Sequence, residues 1–487
     1  MLQEFSPGLA GFSYAMSRLF ETRPGDDGLP GPQRRIAVWV LILGTLMAVL
    51  DANMVNIALP TLARDLDVEP SQAVWIVNLY QLVGAVSLIA FAALSELVTR
   101  RLLYIGGLVV FTLASLGCAL ARELEPLLIW RALQGLGAAA MLSIGPSLYR
   151  SIFPSRLLGS ALGISAMVVA LGYASGPSLG GVLLTVADWP WLFALNVPVG
   201  CVVLLLAWRT LPRETHRSRG FDVLGALLSA GTLGALVMAM DGLGRAANAV
   251  EIIGLLLLGA ACGWAFVQRQ RRAEYPLLPL SIFSEPRFSL AAIVSNLTFI
   301  AQGLAFVCLS FLYQNQMGYS PLETAWLFTP WPLAIMLIGP LAGRLADRYN
   351  ATLLASLGLG LLLIGLALLA MLKSDAVIAD ILWRTALCGL GFGLYQSPNN
   401  RELLSSVPRA LSANASGVMS TVRTFGQSLG VALVGVVLAW PAANVQAALW
   451  LGCVAVALAL AVSVWRIPMT SAPVRDESSE RPSPGSR

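Results

Sequence analysis

Fourteen long apolar runs follow one another almost end to end through the chain, and no other feature restricts its fold as much. A helix rises about 1.5 Å per residue, so roughly 20 apolar residues span a bilayer core of about 30 Å. The runs fall near 36–60, 71–95, 102–121, 127–149, 157–183, 189–208, 222–241, 251–268, 288–313, 323–343, 349–372, 381–400, 411–439 and 444–465. Hydrocarbon offers no water to backbone N–H and C=O groups, so each run has to satisfy them internally, as a helix. The sequence therefore predicts an all-α polytopic membrane protein with 14 transmembrane helices.

Charge placement orients it. The chain is 57% hydrophobic and 12% charged over 487 residues, unlike a soluble domain, so its net charge of +5 does not point to nucleic acid. Of the 31 Lys and Arg, 8 lie in the terminal segments (Arg466 among them) and 3 inside apolar runs (Arg131, Arg384, Arg423). Of the remaining 20, 16 sit in even-numbered loops; only Arg64, Arg122, Arg245 and Lys373 sit in odd ones. The positive-inside bias then puts even loops and both termini in the cytoplasm, in a cell (inner) membrane. Dropping the short run at 251–268 would invert every later loop and destroy this asymmetry. All six cysteines lie within apolar runs, which argues against a disulfide framework, and no metal-type spacing or cofactor motif occurs. His216, the single histidine, sits among arginines in a cytoplasmic loop and reads as solvated. The first 33 residues lack a signal-peptide layout, so the first span is expected to direct insertion.

An internal repeat organises the chain. At an offset of 254, Pro154 meets Pro408, Ala161 meets Ala415 and Gly163 meets Gly417; Gly172, Gly176 and Gly181 meet Gly426, Gly430 and Gly435; Gly135–Gly137 meets Gly389–Gly391. Two six-helix bundles, 36–208 and 288–466, would thus flank two linking helices in 209–287, with a cytoplasmic segment 1–35 and a Ser/Pro-rich, disordered tail 467–487. Related halves around a central cavity suit alternating access, with cargo bound near mid-membrane.

LDANMVNIALP (Leu50–Pro60), RALQGLG (Arg131–Gly137), LGYASGPSLGG (Leu171–Gly181), WPWLFALNVPVG (Trp189–Gly200), PLLPLSIF (Pro276–Phe283) and GLGFGLYQSPNNR (Gly389–Arg401) resemble the major facilitator superfamily. More narrowly they resemble its 14-helix drug:proton antiporter branch, the EmrB/QacA type. The resemblance covers nearly everything beyond residue 35 and implies proton-driven efflux. Gly172, Gly176, Pro177, Gly180 and Gly181 match the antiporter motif of the fifth helix. The loop after span two, with Glu96, Arg100 and Arg101, departs from the family's G-x-L-A-D-R-x-G-R-K pattern by losing both glycines. Its second copy keeps Asp347 and Arg348 but has Asn350 in place of the later glycine. These residues are expected to form a conformational latch on a helix N-terminus, where a carboxylate is favoured by about 0.3–1 kcal/mol. Simple close packing of a small-residue helix face explains the fifth-helix glycines equally well, although Pro177 adds a bend.

Intramembrane charges cost about 2.5–3.5 kcal/mol each on insertion scales, which makes Asp51 and Arg131 candidates for function. Both lie about 22 Å from the cytoplasmic side by helix rise, so they can pair, and a proton can compete with Arg131 for Asp51. A static ion pair is the alternative. Substrate-cavity candidates are Trp75, Asn78, Tyr80, Gln81, Tyr173, Tyr313, Trp331, Tyr395, Gln396 and Arg423, the aromatic faces suiting lipophilic cargo. The leading reading is a proton-coupled exporter of lipophilic drugs, antiseptics or dyes, not an enzyme, with a periplasmic adaptor as a further partner. A dedicated exporter of one endogenous product shares the mechanism. A lipid-modifying enzyme would need clustered His, Cys or acidic residues, an ATP-driven pump a phosphate-binding loop, and neither pattern occurs; uptake by symport conflicts with the antiporter-like motif.

Overall fold

The computed structural model describes residues 26–471 apart from 96, 155–156, 213–221, 245–247, 275, 374, 409–410 and 440–444. His216, Glu96, the segment 1–25 and the tail beyond 471 lie outside the described residues, as does the side chain of Asp347. The long helices are α1 (Gly31–Asp65), α2 (Trp75–Leu94), α3 (Arg100–Leu120), α4 (Leu124–Ile152), α5 (Leu158–Val186), α6 (Asn196–Thr210) and α7 (Val223–Gly244). They continue as α8 (Ala249–Arg272), α9 (Pro286–Phe311), α10 (Pro330–Arg348), α11 (Ala351–Ala370), α12 (Ile378–Ser405), α13 (Ser412–Ala439) and α14 (Val445–Ser471). Short helical turns precede α2, α6 and α10, and no β-strand occurs among the described residues.

Each apolar run falls on one of these helices, those at 71–95, 189–208 and 323–343 starting on the short turn before it. By length and composition, however, 12 helices among the described residues can cross a membrane, or 13 if the bent α5 is one span, rather than the 14 expected. The helix left out is α12. At 28 residues it is long enough, but Arg384, three glycines (Gly389, Gly391, Gly393), Tyr395 and Gln396 dilute its apolar surface. Two boundaries also shift. α1 begins at Gly31, five residues before the apolar run, and α14 continues to Ser471, past the expected bundle end at Arg466, which is buried.

Local chemistry sets the helix starts. Ser320 and Glu323 form a capping box around Pro321 at the turn before α10. Asn350 accepts from Thr352 N and Leu353 N at 2.9 and 3.2 Å, so the residue that departs from the loop pattern caps α11. Glycines then let helices approach in the same way in both halves. A Cβ at Gly137 would stand 2.6 Å from Phe111 N on α3, and one at Gly391 would stand 2.8 Å from Gly358 O on α11. A Cβ at Gly176 would meet Asn53 Cβ of α1 at 2.6 Å, and one at Gly426 would meet Asn296 O of α9 at 2.8 Å. Thus α4 lies on α3 and α5 on α1 as α12 lies on α11 and α13 on α9. The repeat read in the sequence is a repeat of packing.

The fold is two six-helix bundles, α1–α6 and α9–α14. They meet along two related seams, α2 against α13 and α5 against the start of α10, with α1 and α9 also in contact. Asn78 Oδ1 accepts from Ser428 Oγ at 2.6 Å, Gln314 Nε2 donates to Ile57 O at 2.8 Å, and Ser178 meets Thr329 at 3.2 Å. Counted along their helices, these cross-seam bonds lie on the odd-loop side of mid-depth. The two linking helices pack outside: α7 rests on α13 and α2, while α8 touches mainly α7 and leaves Val250, Leu257 and Trp264 exposed to the bilayer. Their even-loop ends are tied by Asp222, which accepts from Arg269 Nε at 3.0 Å and Gln270 Nε2 at 2.9 Å.

Candidate functional site

Asp51 lies inside the N-terminal bundle, its side chain wholly buried, and faces Arg131 of α4, equally buried. Arg131 Nη1 is 2.5 Å from Asp51 Oδ2 and 2.6 Å from Gln134 Oε1, and its Nε donates to Ile76 O at 2.8 Å. The other carboxylate oxygen accepts from Gln134 Nε2 at 2.8 Å and Asn196 Nδ2 at 2.9 Å. Gln134 also donates to Ser115 Oγ at 2.9 Å. Helices α1, α3, α4 and α6 therefore converge on one carboxylate. The spacing explains how: Arg131 and Gln134, three apart, share a face of α4, as Ser115 and Cys118 do on α3. Charges this deep persist only when paired and hydrogen-bonded. Asp51 is saturated, but Nη2 of Arg131 has no hydrogen-bond partner.

Above the guanidinium sits Tyr80, its ring centre 4.3 Å from Arg131 Cζ, with Phe193 at 5.5 Å on another side. The Tyr80 hydroxyl donates to Ala48 O at 2.9 Å, which fixes the ring. The same ring lines a small cavity of about 60 Å³ between the two halves. That is far below the roughly 300–1,000 Å³ of a drug-sized site, so cargo of that size enters only when the halves move apart. Asn53, Asn56, Gln81, Tyr173, Phe306 and Arg423 also line it. The ion pair and the cavity are thus separated by the thickness of one aromatic ring. Tyr173 donates to Gln427 Oε1 at 3.5 Å, and Gln427 Nε2 donates to Gln302 Oε1 at 3.0 Å, so equivalent positions of the repeat touch at the cavity wall.

Of the cavity candidates, Tyr80, Gln81, Tyr173 and Arg423 line the space and the others do not. Trp75 packs outward against the cluster formed with Val237 of α7, because the linking helices cover that face of α2. Asn78 stands in the seam, its Oδ1 accepting from Ser428 and its Nδ2 unpartnered. Tyr313 is buried in the π turn that ends α9, against Phe328 at 5.9 Å. Trp331 packs behind the cavity wall, 5.2 Å from Phe306. Tyr395 is in the C-terminal bundle interior against Phe392, and neighbouring Gln396 is half-buried away from the cavity. An aromatic or amide at the right depth faces the cavity only if its helix is turned that way, and the sequence does not print that rotation. Asn53, Asn56, Gln134, Asn196 and Gln427 were not singled out, although the first four stand inside the conspicuous strings; polar residues spaced within otherwise apolar runs were the available signal.

In the antiporter-like segment, Gly172, Gly176 and Gly180 all face α1, where added Cβ atoms would meet Val49, Asn53 and Met54. This is close packing within one bundle. Gly181 instead faces the other half, 2.8 Å from Pro321 O for an added Cβ. α5 bends by 41° between Met167–Tyr173 and Ser175–Val186. The bend falls where Pro177 removes the hydrogen bond to the carbonyl four residues before it. Of the latch residues, Arg101 donates to Trp208 O and lies over its ring, while Arg348 is exposed at the end of α10.

This architecture is that of a transporter, and comparison with known proteins agrees. The model of the Major Facilitator Superfamily matches residues 41–431, and the chain belongs to that superfamily. It is 43% identical to the uncharacterized transporter YebQ of Escherichia coli K12, over 85% of this chain and 91% of the relative. It is 35% identical to the multidrug resistance protein Stp of Mycobacterium tuberculosis (83% and 76% covered) and 29% identical to the riboflavin transporter RibZ of Clostridioides difficile (82% and 87%). Among solved structures it shares the fold of a POT family transporter in complex with a thioalcohol conjugated peptide. That match has a TM-score of 0.68 at 15% identity and covers 89% of this chain and 96% of the other.

Proposed function

We propose that the protein is a proton-coupled antiporter of the drug:proton type that exports lipophilic compounds from the cell, with both termini cytoplasmic. One observation carries the reading: the buried Asp51–Arg131 pair lies one Tyr80 ring away from the inter-half cavity. A proton on Asp51 removes the attraction for Arg131, whose guanidinium then leans toward Tyr80 and the unpartnered side. Cargo in the cavity presses on the same ring from the other face. Occupancy and protonation are thereby coupled through one side chain. The cross-seam bonds on the odd-loop side, set against the positive-inside orientation, make this the conformation that faces the cytoplasm. On this reading Gly181 and the bent α5 form part of the outer closure. Glu96, Arg100, Arg101, Asp347 and Arg348 form the latch of the opposite state.

A multidrug resistance name among the relatives supports breadth. The cavity also has fixed polar atoms without partners, Asn56 Oδ1, Gln81 Oε1 and Arg423 Nε. They favour a second reading, a dedicated exporter of one endogenous product, since unpaired buried groups discriminate sharply between ligands. Everted vesicles expressing the protein test the main reading. A pH gradient, acid inside, should drive dye or drug accumulation that Asp51→Asn abolishes. Undiminished gradient-driven accumulation in Asp51→Asn would refute the proton role. Competition by a chemically diverse panel would favour the broad exporter, and competition by a single chemical class the dedicated one.

A further inference from the structure

Arg423 stands about 11 residues into α13, close to mid-membrane, and lines the cavity. No carboxylate pairs with it among the described residues, and its buried Nε lacks any hydrogen-bond partner. The described residues lining the cavity include no Asp or Glu. Asp51, behind Tyr80, is already taken by Arg131, Gln134 and Asn196. A cation in this space would meet one positive charge and no counter-charge. An anion would supply the partner that a guanidinium at this depth lacks, in a charge-assisted pair that is stronger than a neutral hydrogen bond.

We propose that the cavity, widened as the halves move apart, takes an organic anion, its acidic group on Arg423 and its aromatic or apolar body between Tyr80, Tyr173 and Phe306. Asn56 Oδ1 and Gln81 Oε1, both unpartnered, accept from N–H or O–H groups on that body. This rests on the cavity being the cargo site and narrows the exporter reading to acidic cargo; cationic antiseptics are disfavoured. The shared chemistry extends to anionic lipid headgroups, which the test separates.

Two xanthene dyes of similar size and opposite charge, fluorescein and rhodamine 123, provide the probes. Their binding to the purified full-length protein in an uncharged detergent is read by fluorescence anisotropy, with no gradient present, so a failure of proton coupling cannot affect the result. The wild type should bind fluorescein more tightly than rhodamine 123. Arg423→Gln should weaken fluorescein at least tenfold and leave rhodamine 123 unchanged or tighter, and Arg423→Lys should recover most of the loss. Tighter binding of rhodamine 123 by the wild type would overturn the proposal, as would fluorescein affinity that ignores Arg423→Gln. Displacement of fluorescein by phosphatidylglycerol at a few molecules per protein would assign Arg423 to a lipid headgroup and likewise overturn it.

Discussion

Breaking the Asp51–Arg131 pair one partner at a time tests both its structural and its transport roles. Both side chains are fully buried, so removing one charge leaves the other uncompensated, at a cost of about 3–5 kcal/mol. Asp51→Asn is nearly isosteric, but its amide must turn an NH2 either toward Arg131 or toward Gln134 and Asn196, donor against donor. Arg131→Gln leaves the carboxylate two amide donors and should fall at the lower end of that range. Replacing both removes the orphaned charge, so the double variant should be less destabilised than the two single effects added, with an interaction energy of roughly 3 kcal/mol. Thermal unfolding of the purified variants in one detergent measures the cycle. Additivity within about 0.5 kcal/mol would refute the strongly coupled pair. The double variant then separates a static strut from a proton switch. A strut is dispensable once its charges are gone together, so transport driven by a pH gradient would return. A switch does not return, and the double variant should bind cargo yet fail to couple.

Tyr80→Phe removes the hydroxyl bond to Ala48 O and should cost about 0.5–1.5 kcal/mol of stability with coupling retained. Tyr80→Leu removes the ring over Arg131 and should preserve folding while uncoupling transport, seen as a lower ratio of protons moved to cargo moved in a pH-sensitive-dye assay. Gly176→Val forces atoms into Asn53 and should destabilise by about 1–3 kcal/mol in the same unfolding assay, whereas Gly417→Ala, with open space around it, should be nearly neutral. If the cargo is a monoanion exchanged for one proton, each cycle moves two charges. A potential of 100 mV should then contribute about 4.6 kcal/mol to accumulation in proteoliposomes, at about 2.3 kcal/mol per charge; accumulation indifferent to a valinomycin-set potential would exclude that exchange.

The helices were legible because hydrocarbon leaves the backbone no other choice, and hydropathy locates all of them but α12, whose polar residues dilute the signal. The repeat was legible because close helix packing demands glycine, and Gly135, Gly176, Gly389 and Gly430 sit in contacts no larger residue fits. Asp51 and Arg131 stood out because charge is rare at that depth. Helix rotation was less visible. Tyr313, Trp331 and Tyr395 are as aromatic and as buried as Tyr80, but they point into the C-terminal bundle. The loop after α10 departs from its family pattern at Asn350 for a local reason that only the structure exposes, the capping of α11.

The repeat of packing makes the unequal placement of charge meaningful. Gly176 against Asn53 corresponds to Gly430 against Ile300, which sets Asp51 opposite Thr298 in the second half. At the offset shared by α4 and α12, Arg131 and Gln134 correspond to Thr385 and Cys388. Added Cβ atoms at Gly135 and Gly389 strike the backbones of Tyr80 and Trp331, so these two aromatics are counterparts, one facing the cavity and one buried behind Phe306. The second half thus repeats the frame around Asp51 and Arg131 without its charges: Thr298 and Thr385 turn their hydroxyls to their own helix carbonyls. Arg423, conversely, corresponds to Val169 in the first half. One bundle holds the titratable pair and the other the charged anchor in the cavity. Two charge sites borne by separate rigid bodies change their separation only when the bodies tilt. On the proposed reading that tilt is the transport step, so moving Arg423 to its counterpart, with Val169→Arg and Arg423→Val together, should cut gradient-driven transport. Transport at the wild-type rate by that pair of changes would show that the division of charge between the halves is incidental.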